Sequence, residues 1–198
     1  MITVADLKAG LERVAAYTAG FSDELCRADG ELGDGDLGIT VTNGFAEAAR
    51  IDLPADFGLA LLEVAKAFQR VSSSSYGTLI ATGFMSAARE LKGSDSLDPA
   101  RIPALVGGGR DAMMARGKGN LGDKTVLDSL DAVARSLVGV PPEQMARVAA
   151  TSAGEVVEAF RSRPCLLGRA RMFGERSVGL ADPGQLAFQR ILEGLHPA

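Results

Sequence analysis

Apolar residues recur along this chain with the 3.6-residue period of helices, and almost nowhere with the two-residue period of strands. Phe57, Leu61, Val64, Ala65 and Phe68 fall at i, i+4, i+7, i+8 and i+11. Val126, Leu130, Val133 and Leu137 repeat the stripe, and Met145, Val148, Ser152 and Val156 do so with one small polar member. Ala187, Phe188, Ile191, Leu192 and Leu195 form the last one. The pattern predicts helices at roughly 3–28, 37–50, 55–71, 76–92, 99–116, 123–138, 142–162 and 184–196. Short connections favour antiparallel neighbours, hence an all-α, up-and-down bundle. Gly107, Gly108 and Gly109 conflict with the fifth helix, since each costs about 1 kcal/mol relative to alanine, so that helix is expected to begin only after them. No repeat, low-complexity tail or linker interrupts the chain, and 198 residues fit one domain spanning 1–198.

Composition narrows the chemistry. The net charge is −4 with both signs interspersed, whereas a nucleic-acid surface needs a basic stripe. Asp6, Lys8, Glu12 and Arg13 sit where a signal peptide would be apolar, and no later run reaches a membrane span. A soluble, cytoplasmic protein without nucleic-acid or membrane partners is expected. Cys26 and Cys165 stand far apart without metal-ligand spacing and read as reduced thiols in or near the core. The sole histidine is His196, two residues from the C-terminus, so imidazole-based chemistry and zinc clusters are not expected of this chain alone.

Glycines gather between the predicted helices, at Gly30, Gly33, Gly35 and Gly38, at Gly117, Gly119 and Gly122, and at Gly168, Gly174, Gly179 and Gly184. Loops that lay backbone against a ligand use glycine in this way. Within the first cluster, Asp29, Asp34 and Asp36 would not share a face of one continuous helix, since they lie about 140° and −20° apart on a helical wheel. If Asp29 ends the first helix and the glycines bend the chain back, the three carboxylates converge, and a hard cation such as magnesium would hold them together. Alone, the segment reads more simply as a solvated Asp-Gly turn and an N-cap for the second helix, since Asp-Gly turns are common. Ser72 through Ser75, before Tyr76-Gly77-Thr78, offers hydroxyls at a helix start that suit phosphate or simply cap the helix. Gly117-Lys118 and Gly122-Asp123-Lys124-Thr125 lack Walker spacing; a helix cap by Asp123 is the simpler account. Arg169, Arg171 and Arg176 could reach phosphates or pair with surface acids, and Asp182 followed by Pro183 is a standard helix start.

Taken together and in order, these segments resemble the ADP-binding L subunit of dihydroxyacetone kinases (DhaL type), equivalent to the nucleotide domain of the single-chain kinases. The resemblance spans nearly the whole chain. It rests on Gly33-Asp34-Gly35-Asp36-x-Gly38 with Asp29 upstream, Asn43-Gly44-Phe45, Tyr76-Gly77-Thr78, Gly117-Lys118, Gly122-Asp123-Lys124-Thr125, and Gly174-Glu175-Arg176-Ser177-x-Gly179 before Asp182-Pro183-Gly184. It implies an eight-helix antiparallel barrel holding ADP or ATP at one rim. By motif match, Asp29, Asp34 and Asp36 would bind two magnesium ions. Leu37, Gly38, Ile39, Thr40, Ser72 and Ser73 would line the phosphates, and Gly117 and Val126 would flank the adenine. Arg169, Asp182, Pro183 and Gly184 would complete the site.

The resemblance also implies partners. In this family a separate K-type subunit or domain holds the ketose through a histidine, for which this chain has no candidate. One branch uses ATP, and the other keeps ADP bound for rephosphorylation by an M-type subunit of the phosphotransferase system. The expected function is therefore phosphoryl transfer to a short ketose with a K-type partner, with no catalytic side chain assigned here. The alternative is a non-catalytic nucleotide-binding paralogue that acts by binding a partner protein. Two departures bear on that choice: the family's Asp-His-Gly reads Asp36-Leu37-Gly38, and its Gly-Gly-Ala-Ser-Gly-Pro stretch is a shorter serine run.

Overall fold

The computed structural model describes residues 1–196. Among them are nine α-helices: α1 (Val4–Ala19), α2 (Ser22–Leu32), α3 (Leu37–Arg50), α4 (Phe57–Val71), α5 (Ser75–Leu91), α6 (Ile102–Gly117), α7 (Val126–Ser136), α8 (Pro142–Phe160) and α9 (Pro183–Leu195). Eight of them close a ring in which α1 packs on α3, each later helix packs on the next, and α9 returns to α1. The extra helix, α2, leans on α3 and α9. The predicted 3–28 helix is thus two. Gly20 and Phe21 break it, with the Gly20 amide donating to the Thr18 and Tyr17 carbonyls as α1 ends.

Local chemistry fixes where the helices start. Thr3 and Asp6 make a reciprocal capping box on α1, and Thr125 and Asp128 make another on α7. Asp56, Ser74 and Asp182 cap α4, α5 and α9 through the amides of Leu59, Gly77 and Gln185. The cap of α7 is therefore Thr125 and not Asp123, whose carboxylate accepts instead from the Asn120 amide at 2.8 Å.

Contrary to expectation, α6 runs straight through Gly107, Gly108 and Gly109. A Cβ at Gly109 would meet the Gly83 Cα at 3.7 Å, an ordinary contact, so space does not demand these glycines, and α6 packs closely on both α5 and α7. Packing between these helices outweighs the propensity cost. The core of the ring is apolar: Phe68, fully buried, meets Phe45 edge-on at 5.0 Å and Phe84 at 6.2 Å. Two strands too short to show alternation, β1 (Ile2–Thr3) and β2 (Ser96–Leu97), pair antiparallel at one end of the barrel. Among the described residues no helix is long and apolar enough to cross a membrane.

The three residues linking α4 to α5, and the five linking α7 to α8, leave room only for reversal of direction. Around the ring the helices alternate. The starts of α3, α5, α7 and α9 therefore meet at one rim, opposite the β1–β2 pair.

Candidate functional site

That rim carries a cavity of about 210 Å³. The first residues of four helices line it: Leu37 of α3, Ser75 of α5, Val126 of α7 and Pro183 of α9. Each start leaves amides without helical partners and the positive end of a helix dipole, so the rim favours an anion. The floor is apolar, formed by Leu79, Met113, Val126 and Leu127 with the ring of Tyr76. Such a floor suits a flat ring, and the rim above it suits charge.

On one side stand Asp29, Asp34 and Asp36, each offering one carboxylate oxygen within 4.8 Å of the other two. Asp29 does not end its helix, as the sequence suggested; α2 continues to Leu32 and leaves Asp29 in its last turn. The following turn folds back over it, so the amides of Gly35 and Asp36 donate to Asp29 Oδ2 at 2.9 and 3.0 Å. Gly33 must be glycine for this return, because a Cβ there would stand 2.5 Å from Asp29 Oδ1. Asp36 occupies the N-cap position of α3 but makes no side-chain cap bond. A simple turn-and-cap account therefore explains Asp29 and leaves the Asp36 carboxylate without a structural task. Three hard oxygen donors at this spacing, two of them exposed, fit a magnesium ion.

Facing the carboxylates is the 161–177 loop, with five arginines against one glutamate. Its Arg169 forms an ion pair with Asp34. Lys124, fully buried, donates to the carbonyls of Arg163 and Ser177 at 2.8 and 2.9 Å, with Arg161 at 3.5 Å. Burial lowers its pKa from the usual lysine range, while the nearby Asp182 charge opposes that shift. Asp182 itself is buried at the start of α9, and burial pushes its pKa up to about 7 against the Gln185 amide and the Lys124 charge. The Tyr76 hydroxyl donates to the Gly184 carbonyl at 3.0 Å, tying α5 to α9; burial raises its pKa.

Ten of the residues singled out from sequence line the cavity: Asp29, Asp34, Asp36, Leu37, Gly117, Val126, Arg169, Asp182, Pro183 and Gly184. Gly38, Ile39, Thr40, Ser72 and Ser73 do not. Gly38 is packed against α2, where a Cβ would meet the Ser22 carbonyl at 2.0 Å. Ile39 is exposed on the first turn of α3. The Thr40 and Ser72 hydroxyls stand 3.4 Å apart behind the rim, and Ser72 donates to Ser74 at 3.1 Å. Of the serine run, Ser74 and Ser75 reach the cavity. Leu79, Met113 and Leu127 were missed, although Met113 sits one helical turn before Gly117 and Leu79 one turn after Ser75.

Comparison with known proteins agrees with the fold. Residues 31–197 match the family described as the DAK2 domain, a match that begins just after Asp29. The chain is 31% identical over 202 residues to L-erythrulose 1-kinase of Mycolicibacterium smegmatis, covering 96% of this chain and 35% of that protein. It is 29% identical over 183 residues to the ADP-binding subunit DhaL of the PEP-dependent dihydroxyacetone kinase of Escherichia coli, covering 88% of this chain and 87% of that subunit. The crystal structure of the dihydroxyacetone kinase of C. freundii superposes with a TM-score of 0.78 at 22% identity, over 99% of this chain and 35% of that one. The same kinase in complex with AMP-PNP and Mg2+ gives a TM-score of 0.76. The chain thus spans about a third of the length of L-erythrulose 1-kinase and of the C. freundii kinase, but most of the E. coli subunit. The fold, the ordered motifs and a match over most of the length agree, and the chain belongs to the DAK2 domain family.

Proposed function

We propose that this chain binds ADP or ATP with magnesium at the rim and serves as the nucleotide half of a kinase for a short ketose. The observation that carries this reading is the convergence of Asp29, Asp34 and Asp36 beside a cavity ringed by four helix starts. The adenine would lie on the apolar floor near Gly117 and Val126, with the phosphates under the amides of α3 and α5. Asp29, Asp34 and Asp36 would hold magnesium, two ions by analogy with the family. Magnesium supplies charge neutralisation for the phosphates and orients them for transfer. The chain's own residues do the rest: the carboxylates fix the cation, Arg169 is placed to turn from Asp34 to a phosphate oxygen, and the apolar floor excludes water from the base.

No side chain at the rim is assigned as a general base. The sole histidine follows α9 at its far end, about 20 Å of helix from Pro183. Ketose binding and proton removal therefore belong to a K-type subunit docked at the same rim. The E. coli relative, named for a PEP-dependent kinase, motivates an M-type phosphotransferase partner as phosphate donor and a cytoplasmic setting. Releasing nucleotide from purified protein by denaturation tests the reading, together with a magnesium-dependent thermal shift on adding ADP or ATP. Asp34→Ala and Asp36→Ala should each abolish that shift. No bound nucleotide and no shift in the unsubstituted chain would refute it.

One observation favours a second reading, a regulatory nucleotide-binding paralogue. Leu37 is 5% exposed and belongs to the core cluster, so its side chain offers a phosphate no polar contact. Reconstitution with a K-type subunit and a phosphate donor separates the two, since ketose phosphate formation excludes a purely regulatory role.

A further inference from the structure

We propose that Lys124 is a positioning residue, which closes the neck of the 161–177 loop and thereby fixes where Arg169 stands beside Asp34. The inference rests on the nucleotide reading above. Lys124 reaches the carbonyls of Arg161 and Arg163 on the incoming limb and of Ser177 on the outgoing one. Arg169 lies between these limbs and pairs with Asp34 across the cavity mouth.

Between them the loop has little regular structure with which to hold itself. Its only helical stretch is a 3-10 segment, Ala170–Ser177, kinked at Gly174. The Ser177 hydroxyl accepts from the Cys165 amide at 2.8 Å and donates to the Gly174 carbonyl at 2.6 Å, and these bonds stiffen the interior. The Gly179 amide donates to the Arg161 carbonyl at 2.7 Å and also joins the limbs. Lys124 joins the limbs through a charged side chain. Burying an ammonium is costly unless its donors are satisfied, and here three carbonyls face it. The backbone at Lys124 is also left-handed, with φ 60°, a conformation unfavourable for any residue but glycine. That combination turns the lysine inward while Thr125, the next residue, caps α7 at the cavity wall. Lys124 thus holds the arginine-bearing loop, while the start of α7 is held separately by the Thr125–Asp128 capping box.

A lysine that merely stabilised the fold would affect every ligand of the rim alike. A positioning lysine acts through Arg169 and on phosphate alone. The test is a double-mutant cycle by calorimetric titration with Mg·ADP, using the unsubstituted chain, Arg169→Ala, Lys124→Met and the double variant, with adenosine as a phosphate-free control. Arg169→Ala should weaken Mg·ADP about ten- to a hundredfold, the scale of a charge-assisted hydrogen bond. Lys124→Met should weaken it by a similar factor, the double variant no further, and adenosine should bind all four proteins equally. Full Mg·ADP affinity in Lys124→Met, factors that multiply in the double variant, or an equal loss for adenosine would overturn the proposal. Should Lys124→Met lose its helical circular dichroism, Lys124→Gln, which keeps two donors, replaces it. Failure of both to fold would assign Lys124 to stability alone and also overturn the proposal. Absence of Mg·ADP binding in the unsubstituted chain would instead refute the nucleotide reading, and the proposal with it.

Discussion

Replacing Asp182 by asparagine should make the protein more stable near neutral pH and change little in acid. In the folded chain this carboxyl is buried and keeps its proton until about pH 7, whereas its ordinary value is 3.8. Between those values the folded state holds a proton that the unfolded state has released. Stability from this group is therefore fully present below about pH 3.8 and is lost as pH rises through 7. Each pH unit in that window is worth about 1.4 kcal/mol, so from pH 5 to 7 the loss is at most about 3 kcal/mol. For a chain of this size that corresponds to roughly 6 to 12 °C in melting temperature. Asn keeps the cap, since its side-chain oxygen can still accept from the Gln185 amide, and it does not titrate. The assay is thermal unfolding of both proteins across pH 5 to 7.5, with chelator and without nucleotide. The Asp182→Asn advantage should widen steadily with pH. A difference that stays flat would show that Asp182 ionises at its ordinary pH and that the burial argument is wrong.

Gly33→Ala should leave the helical spectrum intact but weaken divalent-cation binding in a calorimetric titration, because its Cβ would stand 2.5 Å from Asp29 Oδ1 and displace that carboxylate. Phe68→Ala removes a fully buried ring between Phe45 and Phe84 and should cost about 3–5 kcal/mol in urea unfolding with little change in slope. Leu37→His puts the residue type of the related motif into a site that is 5% exposed, and should cost about 1–3 kcal/mol in the same experiment unless a ligand satisfies the ring.

The helices were legible because their stripes are long and regular, and the departures have separate physical causes. The break at Gly20 and Phe21 changes the direction of the chain while the apolar stripe carries on to Leu25, so periodicity cannot show it. At Gly107 to Gly109, propensity pointed one way and the packing of α6 on α5 and α7 the other, a contact between helices that no local pattern displays. The carboxylate cluster was legible as residue types and spacing. Its closure was not, since it depends on the amides of Gly35 and Asp36 turning back on Asp29. Leu79, Met113 and Leu127 were hidden for a different reason. Apolar residues on helical stripes look like core until the end of the barrel on which they lie is known.

That end is decided by parity. Alternation around an eight-membered ring sends four helix starts to each rim. Because α3 begins at the rim where α1 stops, the inserted α2 also ends there and carries the acidic turn of 33–36 in among the starts of α5, α7 and α9. The opposite rim collects the starts of α1, α4, α6 and α8 beside the β1–β2 pair, without the three converged carboxylates. Cation and anion preferences thus coexist at one rim because an acidic loop was placed among positive helix ends. A polyphosphate carrying its own divalent cation satisfies both at once, whereas a bare anion meets repulsion from the carboxylates and a bare cation meets Arg169.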